Sequence, residues 1–303
     1  MKKIHTYLTA LSLQLIVTHA IAQTAEPALA TVTYEFIHVS DTNNRATPVR
    51  EEMFLCLGEN STKYLSYIIE SNRQKARKAA ESAAASSSAV RSVSVVGAPM
   101  AVVYGPGYTQ EILFQHTKEN KLNKVATYGM SSYLIETPLP KIDWKITKET
   151  REIGNFKCQK ATGNYAGRTY TAWFAPDLPF KNGPWKLSGL PGLILEATDS
   201  KNEVLFLFKE ISKDTTGQDT GINTERLITT SEKAFERAKE TWINDPVGVM
   251  QSQLPAGSTA KVRLSYRDST RRSSSEDEAN SMLEKYRKDF LPRNNNPLEL
   301  TKK

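Results

Sequence analysis

The run "FKCQKATGNYAGRTYTAWFA", Phe156 to Ala175, decides the fold class. Two stretches rich in Thr, Tyr, Phe and Trp flank Tyr165-Ala166-Gly167-Arg168, and Gly tolerates the backbone geometry of a tight turn. The run therefore reads as two antiparallel strands. On the second, Tyr170, Ala172 and Phe174 share one face and Trp173 takes the other, because side chains alternate along a strand.

The same pattern extends in both directions. "TVTYEFIHV" (Thr31 to Val39), "EMFLCL" (Glu52 to Leu57), "KYLSYII" (Lys63 to Ile69), "QEILFQH" (Gln110 to His116), "KVATYG" (Lys124 to Gly129) and "DWKIT" (Asp143 to Thr147) precede it. "LILEAT" (Leu193 to Thr198) and "EVLFLFKEI" (Glu203 to Ile211) follow, joined by a second hairpin loop, Asp199-Ser200-Lys201-Asn202. Short β-branched and aromatic runs separated by polar turns predict a mainly β fold, a large antiparallel sheet or a partly open barrel. The strand around Leu205 to Phe208 is apolar on both sides and needs cover on both.

C-terminal helices are expected to cover the sheet. Thr229 and Glu232 have capping-box spacing, followed by Phe235, Ala238 and Trp242 at helical intervals up to Pro246. Ser275 and Glu278 repeat the device before Leu283, Tyr286 and Phe290, with Pro292 beyond. Residues 71 to 99 are different: Ala, Ser and basic residues with few large apolar side chains read as an insertion that is helical at its Ala-rich start and buries no core. With no linker dividing the rest, residues 23–303 read as one domain.

Residues 1–22 read as a signal peptide. Lys2 and Lys3 precede a short apolar stretch, Leu8 to Val17, and Ala20-Ile21-Ala22 supplies a cleavage site before Gln23. No Cys stands beside that site to take a lipid, and no later stretch approaches the roughly 20 apolar residues of a membrane helix. An exported protein of the periplasm or the outer-membrane surface is expected. The whole chain has 40 Lys and Arg against 33 Asp and Glu; without Lys2 and Lys3 the balance is 38 against 33, or +5. So mild an excess suits solubility or weak attraction to anionic surfaces, and no nucleic-acid partner.

Chemistry-bearing patterns are sparse. Cys56 and Cys158 permit one disulfide in an oxidising compartment, or two buried thiols acting as small apolar side chains; both readings stand. Beyond the signal only His38 and His116 occur, each alone on a strand and without metal-ligand spacing. "GMSSY" (Gly129 to Tyr133) lacks the last Gly of a nucleophile elbow, and "YGPGYTQ" (Tyr104 to Gln110) lacks the Lys-Ser/Thr of a phosphate loop. No catalytic residue, metal or cofactor is assigned, and a noncatalytic protein is expected.

One stretch asks for more than strand and turn: "GPWKLSGLPGLILEATD", Gly183 to Asp199. Leu190-Pro191-Gly192-Leu193 has the residues of a type II turn, with Gly192 taking the positive φ. The strand beyond it should alternate, Leu193, Leu195 and Ala197 against Ile194, Glu196 and Thr198. "APDLPFKN" (Ala175 to Asn182) adds two prolines upstream, so Pro184 and Trp185 ride on a Pro-rich loop that either seals the end of a barrel or rims a pocket.

Gly189 to Ile194 spell GLPGLI, and the chain resembles the GLPGLI family of exported Gram-negative proteins. The similarity runs through the central region from Trp144 to Leu195, and "SYIIE" and "NNNPLEL" resemble the family's outer parts. The resemblance implies export and a β-rich domain; it implies no activity and carries over no catalytic residue.

Two functions fit these readings. In the first, a noncatalytic envelope protein binds an apolar ligand or lipid in a cavity lined by the Tyr170 face of the sheet or by the Trp173 face, with Trp185 at its mouth and Leu190, Pro191 and Gly192 in the same loop. In the second, the chain is an interaction module of an outer-membrane-associated assembly, making contact through Arg168, Trp185 or the Ala-rich insertion.

Overall fold

The computed structural model describes residues 26–72, 74–75, 78, 109, 111–128, 131–213, 215, 218–253, 281, 284 and 295–300. The expected signal peptide, most of the 71–99 insertion, "YGPGYTQ" up to Tyr108, and the Ser275/Glu278 capping box lie outside them.

Twelve strands form one sheet: β1 (Ala30–His38), β2 (Val49–Leu57), β3 (Ser61–Ser66), β4 (Glu111–His116), β5 (Lys121–Tyr128), β6 (Ser131–Pro138), β7 (Lys145–Ile153), β8 (Phe156–Tyr165), β9 (Arg168–Ala175), β10 (Leu193–Asp199), β11 (Val204–Ser212) and β12 (Leu227–Thr230). Their order is β12-β6-β5-β4-β3-β2-β1-β11-β10-β9-β8-β7, an open sheet with β12 and β7 at its edges. Every pairing is antiparallel except β12 against β6. The chain is mainly β, as its short alternating runs demand.

The hairpin from Phe156 to Ala175 forms as read. Tyr165 pairs with Arg168, and Ala166 and Gly167 take φ of 50° and 82°, the two left-handed residues of a two-residue hairpin turn. Tyr170, Ala172 and Phe174 are fully buried on one face while Trp173 is half-buried on the other. Elsewhere the boundaries move. The strand expected to reach Ile69 stops at Ser66, and residues 67–72 are helical. β6 and β12 arise where no strand was expected.

Helices α1 (Glu232–Asn244) and α2 (Pro246–Ser252) follow β12, and residues 281 and 284 are also helical. Ser231, not Thr229, caps α1, its side chain accepting from the Ala234 amide. Thr229 is unavailable because it pairs with Leu134 in the sheet. Asp245 caps α2, with Pro246 in its first turn, where a missing N–H costs nothing. α1 covers the β5–β6 end of the sheet: Phe235 is buried edge-on against Tyr133 at 5.4 Å, with Lys124 Nζ 5.0 Å from its ring centre. Ala238 and Trp242 are only half-buried.

The centre of the sheet is covered by irregular chain. The segment between β9 and β10 folds back so that Trp185, Leu187 and Leu190 join Tyr34, Leu55, Phe174 and Phe206 in the main core. Each fully buried Leu contributes about 1.5–3 kcal/mol of apolar transfer. Trp144 Nε1 ties the loop down by donating to the Ser188 carbonyl at 2.8 Å. On the other face of β11, Leu205 and Leu207 are only half-buried, so full cover comes on one side alone.

The Leu190 to Leu193 segment is not the expected turn. Gly192 lies outside the left-handed region; the positive φ falls on Gly189, at 96°. Gly192 is required for space, because a Cβ there would sit 2.3 Å from the Ala175 carbonyl oxygen. The Leu193 amide donates to Leu178 rather than back across Pro191. The strand that follows also breaks the expected alternation. Its register against β9 shifts between Ile194 and Glu196, a bulge that lets Leu193, Ile194 and Leu195 all be buried.

Candidate functional site

Trp185 is 5% exposed and holds φ at 56°, a conformation that costs a bulky residue about 1–3 kcal/mol and persists only where its surroundings enforce it. Here the surroundings do so. Its carbonyl accepts from Gln115 Nε2 at 2.9 Å, and Gln115 Oε1 in turn accepts from Asn182 Nδ2 at 3.2 Å. Its indole lies near-parallel to Phe206 at 6.3 Å and meets Tyr165 edge-on at 5.4 Å. Phe206 stacks on Phe36 across the β1–β11 pairing at 5.2 Å.

Beneath this aromatic stack lies a cavity of about 30 Å³, lined by Phe36, Met53, Tyr64, Trp185, Phe206 and Leu298, with Glu111 at its polar side. That volume admits about two waters. Tyr64 is 3% exposed and its hydroxyl has no hydrogen-bond partner among the described residues. Burial, with Tyr34 and Glu51 close by, raises its pKa well above the ordinary value, so it stays a neutral donor. Tyr34, by contrast, donates to the Ile194 carbonyl at 2.7 Å. An unsatisfied buried hydroxyl costs about 1–3 kcal/mol, and Tyr64 shares the lining of the cavity with two other polar residues, Thr109 and Glu111.

Leu298 reaches the cavity from the C-terminal segment, and Arg168 holds that segment. Arg168 opens β9, its side chain 1% exposed, and uses all five donors. Nη1 donates to Asp199 Oδ2 at 2.7 Å and Glu203 Oε2 at 3.3 Å. Nη2 donates to Asn296 Oδ1 at 2.6 Å and the Pro297 carbonyl at 2.7 Å, and Nε to the Leu298 carbonyl at 3.0 Å. Asp199 Oδ1 accepts from the Glu203 and Val204 amides, fixing the β10–β11 turn on the same ions.

Arg45 completes the charge balance, 2.7 Å from Glu203, so two guanidinium groups face two carboxylates. Burial pushes the Glu203 carboxyl up, but hydrogen bonds from Arg45, Arg168 and Asn296 outweigh it and hold the pKa below the usual range. His38 Nε2 lies 2.8 Å from the Asn296 carbonyl oxygen. Burial drives its pKa down to about 4, against the pull of that carbonyl, and the Arg168 charge adds to the drop.

The sequence candidates separate in space. Trp185 and Leu190 enter the core beside Pro184, which is buried, while Pro191 is exposed and Gly192 packs on Ala175. Tyr170 is core, its hydroxyl without a partner among the described residues. Trp173 faces away from the cavity with Arg151 stacked over it at 4.4 Å. The Tyr170 face therefore belongs to the core, and neither Tyr170 nor Trp173 lines the cavity. Arg168 is not an exposed anchor but the clasp of the tail. No local sequence signal marks Phe36, Tyr64, Phe206, Asp199, Glu203, Asn296 or Leu298; each belongs to the site through a partner remote in sequence.

Cys56 and Cys158 are both free and buried, in different apolar clusters, so the disulfide does not form. Burial pushes both thiols up to about 11. Among the described residues no cluster of three His, Cys, Asp or Glu could hold a metal, and no helix is long and apolar enough to cross a membrane.

A family model described as a protein of unknown function (Porph_ging) matches residues 164–196, the stretch from the β8–β9 turn to the start of β10. No curated protein matches the chain. PNGF-II solved in a C2 space group is similar over 70% of this chain at 13% identity, with a TM-score of 0.46. The same protein in a P21 space group is similar over 69% at 13% identity, with a TM-score of 0.45. This chain spans about a third, 32%, of the length of those chains.

Proposed function

We propose that this is an exported, noncatalytic protein of the Gram-negative envelope, a GLPGLI-type domain that binds a small apolar ligand bearing one hydrogen-bond acceptor. The observation that carries the reading is Tyr64, whose hydroxyl has no partner among the described residues and which lines a cavity with Phe36, Trp185 and Phe206. The aromatic walls favour an apolar body, and the neutral phenol favours an acceptor such as an ester or amide carbonyl. A volume of about 30 Å³ is far smaller than such a ligand, so in this reading the wall moves to admit it, with Leu298 of the C-terminal segment as the part we propose gives way. A lipid or its fragment fits this description.

The alternative, an interaction module anchored by Arg168 or Trp185, is supported less well, because the Arg168 side chain is 1% exposed and Trp185 5% exposed. The test is thermal unfolding of the mature protein from its own envelope, before and after solvent extraction. A ligand bound only to the native state raises the midpoint. Extraction should lower it, the extract should restore it for the native sequence, and Tyr64→Phe should respond less. A midpoint indifferent to extraction and extract would count against ligand binding.

A further inference from the structure

We infer that the cleft holding residues 295–300 is a peptide-recognition site for an Asn-Pro-Leu segment, filled here by the chain's own tail and able to take the same segment from a second copy of this chain. This goes beyond the apolar-ligand reading and does not depend on it.

Each polar group of Asn296 is read. Its amide donates to the Ser40 carbonyl at 3.1 Å, and its carbonyl faces His38 Nε2 at 2.8 Å. Its side-chain oxygen accepts from Arg168 at 2.6 Å, and its side-chain amide donates to the Val39 carbonyl at 2.7 Å and Glu203 Oε2 at 3.0 Å. Asp in its place would add a third carboxylate beside Asp199 and Glu203 and have no amide for Val39. Pro297 and Leu298 give their carbonyls to Arg168, and the Leu298 side chain enters the aromatic cavity. Glu299 pairs with Lys186, and the Leu300 amide donates to Ala166 at 2.9 Å. Side chain, backbone and charge are thus recognised together, as in a built peptide site.

Among the described residues, the hydrogen-bond and ion-pair partners of this segment are remote in sequence, the nearest being Glu203, 93 residues from Asn296. Nothing in the contact set therefore distinguishes the chain's own segment from that of another copy. A second copy is the partner known to carry the segment, and exchange of identical elements between protomers is a low-cost route to association. Tethering favours the chain's own tail by raising its effective concentration.

The test inserts a protease site between residues 254 and 294 of the full chain and mixes isotopically heavy and light copies after cleavage. Native mass spectrometry should show each tail retained and hybrid pairs appearing, heavy body with light tail. Tails carrying Asn296→Ala should be held on the order of tenfold more weakly or worse, the scale of a buried polar group losing its partners. Retention without exchange, or tails lost from bodies that still unfold cooperatively, would overturn the proposal. If cleavage unfolds the body, uncleaved Asn296→Ala chains decide: they should take up a labelled peptide of residues 293–300 that the native chain excludes, and failure to do so would overturn it.

Discussion

Arg168 and Asn296, 128 residues apart in sequence, meet side chain to side chain, Nη2 donating to Oδ1 at 2.6 Å beside two buried carboxylates, one of which also pairs with the exposed Arg45. This contact joins the β8–β9 hairpin to the C-terminal segment. Because that segment carries Leu298, it also sets one wall of the cavity beneath Trp185.

Arg168→Ala takes from buried Asp199 its ion-pair partner, leaves Glu203 only Arg45 and Asn296, and removes three donors from the tail. Loss of one partner in a buried ion pair costs about 3–5 kcal/mol. Arg168→Lys should recover only part of this, since an ammonium has three donors and no planar fork. Urea unfolding of the two variants checks the order; equal stability of Arg168→Lys and the native chain would refute the five-donor clasp.

Two glycines of the Gly183 to Asp199 stretch should respond differently to alanine. At Gly189 the added Cβ meets nothing nearer than 4.0 Å, so the cost is the left-handed backbone alone, about 1–2 kcal/mol. At Gly192 the Cβ meets backbone at 2.3 Å, and the chain must move. Gly192→Ala should therefore be the more destabilising, and it should perturb the β9–β10 pairing in amide hydrogen exchange.

His38 makes the clasp sensitive to acid. The unfolded residue takes up its proton near 6.5, whereas the folded one does so only at about 4. Between those values the unfolded state holds the extra proton, so stability falls as pH falls, by up to about 3 kcal/mol over the window. His116, also lowered by burial, acts in the same direction. The difference between the native chain and His38→Gln across pH 4 to 6.5 isolates the His38 share; parallel profiles would show that His38 contributes none.

Cys56 and Cys158 should be silent to thiol reagents in the native state and both react in denaturant, without any reductant. Their buried positions and raised pKa values leave little thiolate at neutral pH. A single reactive species appearing only after reduction would indicate a disulfide.

The hairpin at Ala166-Gly167 was legible because its turn chemistry is local, and the Tyr170, Ala172 and Phe174 face because strand alternation is local too. β12 was not, since Leu227 to Thr230 becomes a strand only by lying parallel to β6, a pairing set by the sheet. Gly192 reads as a turn glycine because Pro-Gly is the local signal; its true constraint, the Ala175 carbonyl, is visible only once β9 and β10 are side by side. The clasp was least legible. Arg168, Asp199 and Glu203 look like ordinary hairpin-loop charges until Asn296 arrives from the far end of the chain.

The central claim is that the cavity beneath Trp185 binds an apolar ligand, and native mass spectrometry of the protein purified from its own cells tests it most directly. The account predicts a stoichiometric adduct that solvent extraction releases as an apolar molecule with a carbonyl or similar acceptor, and that is diminished in Tyr64→Phe. A bare protein mass from those cells, unchanged by that substitution, would contradict it.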